Sequence, residues 1–160
     1  MEAARPATPA DRDRLLELAA QAIAELAPTR GGAVWRRREA RPVPLGPSID
    51  GALASPGTLV LAGTIDDAII GYGVVRAEAL RDGGQLGVID DLYVEPDARG
   101  VGVGEAMMDQ IVAWCRERGC IGVDALALPG HRATKNFFES FGLTARAIVV
   151  HRQLDETGPR

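Results

Sequence analysis

The sequence predicts a mixed α/β domain: an antiparallel β-meander followed by a strand–helix–strand unit that adds a parallel strand. Three observations predict it. Two Val/Ile/Leu-rich runs, Thr58–Ile65 and Ala68–Ala79, are separated only by Asp66-Asp67, and a third, residues 87–94, follows Arg81-Asp82-Gly83-Gly84. Strands joined by such short turns form an antiparallel meander. Next, Gly104, Met107, Met108, Ile111, Val112 and Cys115 recur at helical spacing ahead of a short apolar run, 121–128. The unit 87–128 is thus strand, helix, strand, long enough for a right-handed parallel crossover. Finally, 160 residues fit one domain, which at this size buries about two-thirds of the surface its unfolded chain exposes.

The elements follow in order. Thr8 is a helix N-cap, Pro9 suits the first helical position and Asp11 the third. Leu15, Leu18, Ala19, Ala22, Ile23 and Leu26 then keep helical spacing until Pro28 and Gly31-Gly32 stop it. Residues 30–47 predict a short helix and then a proline-stiffened loop. Arg30, Arg36, Arg37, Arg38 and Arg41 crowd around Trp35, with Pro42, Pro44 and Pro47 behind them. This stretch reads either as a solvated basic face anchored by Trp35 or as a loop that meets an anionic ligand. After the meander, Glu95-Pro96-Asp97 ends the third strand and a glycine-rich turn opens the helix 104–115. Arg116 and Arg118 suit that helix's negative end, and Gly119 suits its cap. Pro129-Gly130 opens a last helix, 131–141, closed by Gly142. Residues 144–154 predict a final strand, and 155–160 a frayed polar tail.

Hydrophobic residues make up 46% and charged residues 25% of the chain, with a formal net charge of -4. That balance suits an ordinary globule and gives no reason to expect nucleic acid or a membrane surface as partner. Lys135 is the only lysine, which points to a GC-rich, bacterial genome. Cys115 and Cys120 read as buried, reduced thiols, and their spacing fits no zinc site, so no metal is expected. The first residues are acidic and proline-bearing rather than an apolar signal, and no apolar run approaches the roughly 18 residues of a membrane span. A cytoplasmic location is the expectation.

The stretch that carries chemistry runs from Asp90 through Asp91, Leu92, Tyr93 and Val94 to Arg99-Gly100-Val101-Gly102-Val103-Gly104. A strand runs into a turn and then into a helix N-terminus. Glycines let the backbone approach a ligand, and the first N–H groups of the helix lack intrahelical partners. Together they make a cradle for a phosphate or pyrophosphate, with Arg99 as a positive charge at its lip. A P-loop is excluded because Glu105, not Lys, follows Gly104. A dinucleotide-binding fold is disfavoured. The glycines run G-x-G-x-G and follow a meander, although Asp124 lies about where a ribose-binding acid would be.

These residues resemble the GNAT superfamily of acyl-CoA N-acyltransferases. Arg99 to Gly104 looks like its Q/R-x-x-G-x-G/A pyrophosphate loop, and Leu92-Tyr93-Val94 looks like its bulged strand. Phe137-Phe138-Glu139-Ser140-Phe141-Gly142-Leu143 resembles its closing helix. The resemblance covers roughly residues 57–154, and it implies a central, mostly antiparallel sheet with one splayed parallel strand pair and helices on both faces. It implies a single acetyltransferase domain that uses acetyl-CoA as co-substrate and passes acetyl to a primary amine of a small molecule or peptide. The Leu92 and Val94 backbone would hold pantetheine, and the Val94 N–H would face the thioester oxygen. The amides of Arg99, Gly100, Val101, Gly102, Val103 and Gly104 would bind the pyrophosphate. His131 or Asn136 would contact pantetheine, although the family often has asparagine where His131 stands. Asp90 is expected to act as the base and Asp91 to shape the site, strand alternation sending the two to opposite faces. Capping of the strand, or pairing with arginines, is the alternative for both.

Two residues depart from the pattern. Phe138 replaces the tyrosine that commonly serves as general acid, leaving Tyr93, water or direct thiolate departure. Glu105 puts an acid beside the phosphate cradle. They motivate an alternative, a non-catalytic acyl-CoA binding or sensing module. A third reading is an interaction domain whose residues 36–41 bind an acidic partner. Homodimerisation through the last strand or a sheet edge fits the pattern.

Overall fold

The meander forms where the sequence places it. The computed structural model describes residues 1–154, so the tail 155–160 lies outside the described residues. The elements are β1 (Glu2–Pro6), α1 (Arg12–Leu26), α2 (Gly32–Arg38), α3 (Leu45–Ala54), β2 (Thr58–Ile65), β3 (Ala68–Ala79), β4 (Gln85–Val94), α4 (Val103–Glu117), β5 (Val123–Ala125) and α5 (Arg132–Ser140). The sheet order is β1-β2-β3-β4-β5, with only β4 and β5 parallel. Asp66 and Asp67 both take positive φ, 47° and 71°, as a two-residue hairpin of the twist-compatible type requires.

The sheet has a core on each face. Leu15, Leu18, Ala19 and Ala22 of α1 and Ile49 of α3 pack on Tyr72, Val74 and Tyr93. On the other face Val103, Met107, Met108, Ile111 and Cys115 of α4, with Phe138 of α5, pack on Leu61, Val75 and Ile89. The helical stripe in the sequence is therefore the buried face of α4. Cys115 is buried and both thiols are free. Among the described residues, no helix is long and apolar enough to cross a membrane.

Four expectations are corrected. Strand β1 was not foreseen: its residues are mostly exposed, and the strand forms by pairing with β2. Where a proline-stiffened loop was expected to run to residue 47, α3 begins at Leu45. Pro47 is tolerated in its first turn, where N–H groups have no intrahelical partner. The strand expected over 121–128 shrinks to the three residues Val123–Ala125. Residues 144–154 form no strand and make no backbone–backbone hydrogen bond among the described residues. So short a β5 offers little edge to pair with.

Candidate functional site

The short β5 opens the site. Its pairing with β4 is limited to Gly87↔Val123, Val88↔Asp124 and Ile89↔Ala125. Past Ile89 the outer edge of β4 has no partner, and a cleft of about 690 Å³ opens between β4, the turn after it and α5. The Glu95 N–H donates to the Ile70 carbonyl of β3 at 2.9 Å. Amides alternate along a strand, so the N–H groups of Leu92 and Val94 point away from β3, into the cleft. The Val94 carbonyl points the same way, and it accepts a hydrogen bond from Arg99 Nε at 2.8 Å.

Asp90 and Asp91 divide at a β-bulge. Val74 pairs with Asp91 and Val75 with Ile89, so Asp90 is the extra residue. The bulge cancels the expected alternation. Both aspartates line a second cavity, on the α1–α2 side of β4, and both also reach the cleft. Asp91 is deeply buried. Its Oδ1 accepts from Arg41 Nη2 at 2.6 Å, and its Oδ2 accepts from Arg41 Nε at 2.9 Å and from the Tyr72 hydroxyl at 2.6 Å. Burial, and then the Asp91 charge, push the Tyr72 hydroxyl well above its usual pKa, so it stays a donor. Asp90 is partly open, with Arg76 Nε at 3.0 Å. Burial pushes the Asp90 carboxyl above its ordinary value, and Arg76 opposes that rise.

The glycine turn is built as a cradle. Gly100 (φ 81°) and Gly102 (φ 102°) occupy the left-handed region, and Gly102 caps the N-terminus of α4. Arg99, Gly100 and Gly104 line the cleft. Gly104 also serves packing, since a Cβ there would sit 3.1 Å from the Phe137 ring. Val101 is exposed, and Val103 is buried under the sheet. Arg99 does not stand free at the lip. Its Nη2 donates to both Glu25 oxygens, at 2.9 and 2.8 Å, and its guanidinium lies 5.4 Å from the Tyr93 ring centre. Glu105 lines the cleft from the first turn of α4, where a negative charge suits the helix dipole.

The last helix brings some of the expected residues and not others. His131 lines the cleft, with Nδ1 2.5 Å from Thr134 Oγ1 and Nε2 3.9 Å from Glu25. Asn136 is exposed and stands outside the cleft wall. Phe138 lines the cleft, and its side chain carries no proton to donate. The Tyr93 hydroxyl donates to Gln21 of α1 at 3.3 Å. Among the described residues, no three His, Cys, Asp or Glu side chains group as a metal site.

Sequence reasoning allowed for arginine partners to both aspartates, as the structure has them, without naming Arg41 and Arg76, and it missed Glu25 and Tyr72. Glu25 carried a signal: it falls three residues after Ala22, on the apolar stripe of α1, where a charged residue calls for a partner. The arginine partners come from distant strands and loops and carried none.

The family model described as the acetyltransferase (GNAT) family matches residues 20–143. No curated protein matches the chain. Solved structures similar in fold include AAC(6')-Iy in complex with a bisubstrate analogue, CoA-S-monomethyl-acetylneamine (14% identity, TM-score 0.74, 97% of this chain and 99% of that one). Another is a predicted acetyltransferase with acetyl-CoA from Clostridium acetobutylicum (16% identity, TM-score 0.72, 96% of both chains). A third is a transcriptional regulator from Bacillus halodurans C-125 (18% identity, TM-score 0.72, 96% of this chain and 100% of that one). At these identities the likeness is one of fold alone.

Proposed function

The chain belongs to the acetyltransferase (GNAT) family, and we propose that it transfers acetyl from acetyl-CoA to a primary amine of a small molecule or peptide by direct attack. The observation that carries this reading is the open β4 edge, with the Leu92 and Val94 amides facing a cleft that ends at a glycine-capped helix N-terminus. The residues fit acetyl-CoA. The Leu92 and Val94 backbone would pair with pantetheine as a missing strand. In the turn Arg99-Gly100-Val101-Gly102-Val103-Gly104, the amides from Gly100 onward would meet the pyrophosphate, the Arg99 N–H already donating to the Pro96 carbonyl at 3.4 Å. His131, on the cleft wall at the start of α5, would flank pantetheine, and it supports that role better than exposed Asn136. When bound, acetyl-CoA supplies the activated acyl carbon.

The chain's own part is proton removal and charge stabilisation. An alkylammonium has a pKa of about 10, so the amine must lose a proton before it attacks. Asp90, on the bulge between the two cavities, takes it directly or through water, and burial holds its carboxyl above the ordinary value, nearer the working pH of a base. Asp91 shapes the site by holding Arg41. The Val94 N–H, aimed into the cleft, would donate to a thioester oxygen held there, and an aligned donor of this kind is worth about 3 kcal/mol to developing negative charge. With Phe138 in place of a proton donor, the thiol leaves as thiolate, at about 2 kcal/mol for a thiol of ordinary pKa at pH 7.

The second reading, an acyl-CoA binding module without turnover, is favoured by Phe138 on the cleft wall and by the engagement of the Tyr93 hydroxyl with Gln21. Thiol release from acetyl-CoA with a panel of amines separates the two. Release that falls in Asp90→Asn supports catalysis. Saturable binding with no release for any amine supports the module.

The assembly this reading includes is a homodimer. Residues 144–154 leave Ile148, Val149 and Val150 at 84%, 80% and 90% exposure. The β5 edge beside them is flanked by exposed Ile121 and Leu126. A two-fold that sets these exposed apolar side chains of one copy against those of another would bury them. Sedimentation should give a dimer that Val149→Lys converts to monomer. A monomeric parent chain contradicts it.

A further inference from the structure

The cavity behind β4 has its own chemistry. It measures about 930 Å³ and is lined by α1, by α2 with the segment that follows it, and by Asp90 and Asp91. It shares Asp90, Asp91, Arg38, Glu39 and Arg41 with the acetyl-CoA cleft, so the two cavities meet at the bulge. Most of its charges are already matched. Arg41 is paired with Asp91, Asp90 with Arg76, and Arg38 with Glu39 at 3.7 Å. Arg36 and Arg37 also line the cavity, and among the described residues neither has a carboxylate within ion-pair distance. Two unmatched guanidinium groups therefore remain at its wall, in a chain whose net charge is -4.

Resting on the proposed acetyl transfer, we infer that the acceptor is an amine that itself carries a carboxylate or similar anion. Its amine meets Asp90 at the mouth of the cleft, and its anionic group meets Arg36 and Arg37. A guanidinium offers five donors in a planar fork that matches a carboxylate, and such charge-assisted pairs are roughly twice as strong as neutral hydrogen bonds. No residue of the glycine turn lines this cavity, so the pair is placed for an acceptor rather than for a cofactor phosphate. A free amino acid and the acidic N-terminus of a peptide share this chemistry. Simple polyamines and aminosugars, cationic throughout, do not.

The test measures both turnover and acceptor binding, the latter by calorimetry on the CoA-loaded protein. Each carboxylate-bearing amine is compared with its carboxamide, using amino acids in one arm and short acidic peptides in the other. The carboxylate form should be favoured at least tenfold in kcat/KM and in Kd, and the arm with the tighter binding identifies the source. Arg36→Ala/Arg37→Ala should abolish that preference through KM, and Arg36→Glu/Arg37→Glu should reverse it toward cationic amines. Acetyl-CoA affinity should not change in either variant. Equal handling of acid and amide overturns the inference, as does a fall in acetyl-CoA affinity in the variants, which would assign the arginines to the cofactor's phosphates. Charge-dependent acceptor binding without turnover supports the inference and overturns only the catalytic reading.

Discussion

Removing the Asp91 carboxylate should damage the fold, whereas removing that of Asp90 should damage only the chemistry. Asp91 and Arg41 are 7% and 8% exposed, and Asp91 also accepts from Tyr72. Asp91→Ala therefore leaves a buried guanidinium with no counter-charge and a buried hydroxyl with no acceptor. Breaking a buried pair from one side costs about 3 to 5 kcal/mol, a large share of the roughly 5 to 15 kcal/mol that holds a domain together. Asp90→Ala breaks a pair whose members are 30% and 40% exposed, which is worth about 0 to 1 kcal/mol. Urea unfolding at pH 7 would measure both. A double-mutant cycle isolates the pair: Arg41→Met/Asp91→Ala should lose little more than the worse single variant, because the first change already spoils the partner. A loss below about 1 kcal/mol for Asp91→Ala, or simple additivity with Arg41→Met, would refute the reasoning.

Other perturbations follow from the same geometry. Gly102→Ala has room, its nearest neighbour being Glu2 Cγ at 3.7 Å, but its φ of 102° should cost about 1 to 2 kcal/mol; calorimetry should show weakened acetyl-CoA binding without a packing defect. Asp90→Asn should lower kcat about 100-fold or more and remove the acid limb of the rate profile, a limb lying above the ordinary aspartate value because burial raises the Asp90 pKa. Asp11 is lowered to about 2, first by its hydrogen bond from Arg5, so its stabilisation is present above the ordinary aspartate pKa and is lost as pH falls toward 2. Asp11→Asn should therefore destabilise by at most about 2 kcal/mol at pH 7, less as water screens half-exposed Arg5, and the gap should close in acid unfolding curves between about pH 4 and 2. Burial pushes the Cys115 thiol up to about 11, so at pH 8 a thiol reagent should modify Cys120 first, as peptide mapping would read.

Patterned elements were legible and the pairwise ones were not. Helix α4 announced itself because Met107, Met108, Ile111 and Cys115 all face one core. The hairpin β2–β3 matched its expected bounds because alternation and the Asp66-Asp67 turn agree. Strand β1 was invisible because Glu2–Pro6 carries no β-branched residue and exists only through β2. The acids Asp90 and Asp91 and the roles proposed for them were read from the sequence, but the placement of their side chains was not. It depends on a bulge set by the register with β3, which no residue in β4 encodes by itself. Arg41 was noticed as part of a basic stretch. That it, unlike Arg36 and Arg37, is buried on Asp91 required the fold.

Amide hydrogen exchange with and without acetyl-CoA would locate its binding site. Exchange should slow at Leu92 and Val94 and in the turn from Gly100 to Gly104, with the β1–β2 edge unchanged. Unaltered exchange at Leu92 and Val94 under saturating acetyl-CoA, or protection confined to another face, would contradict that placement.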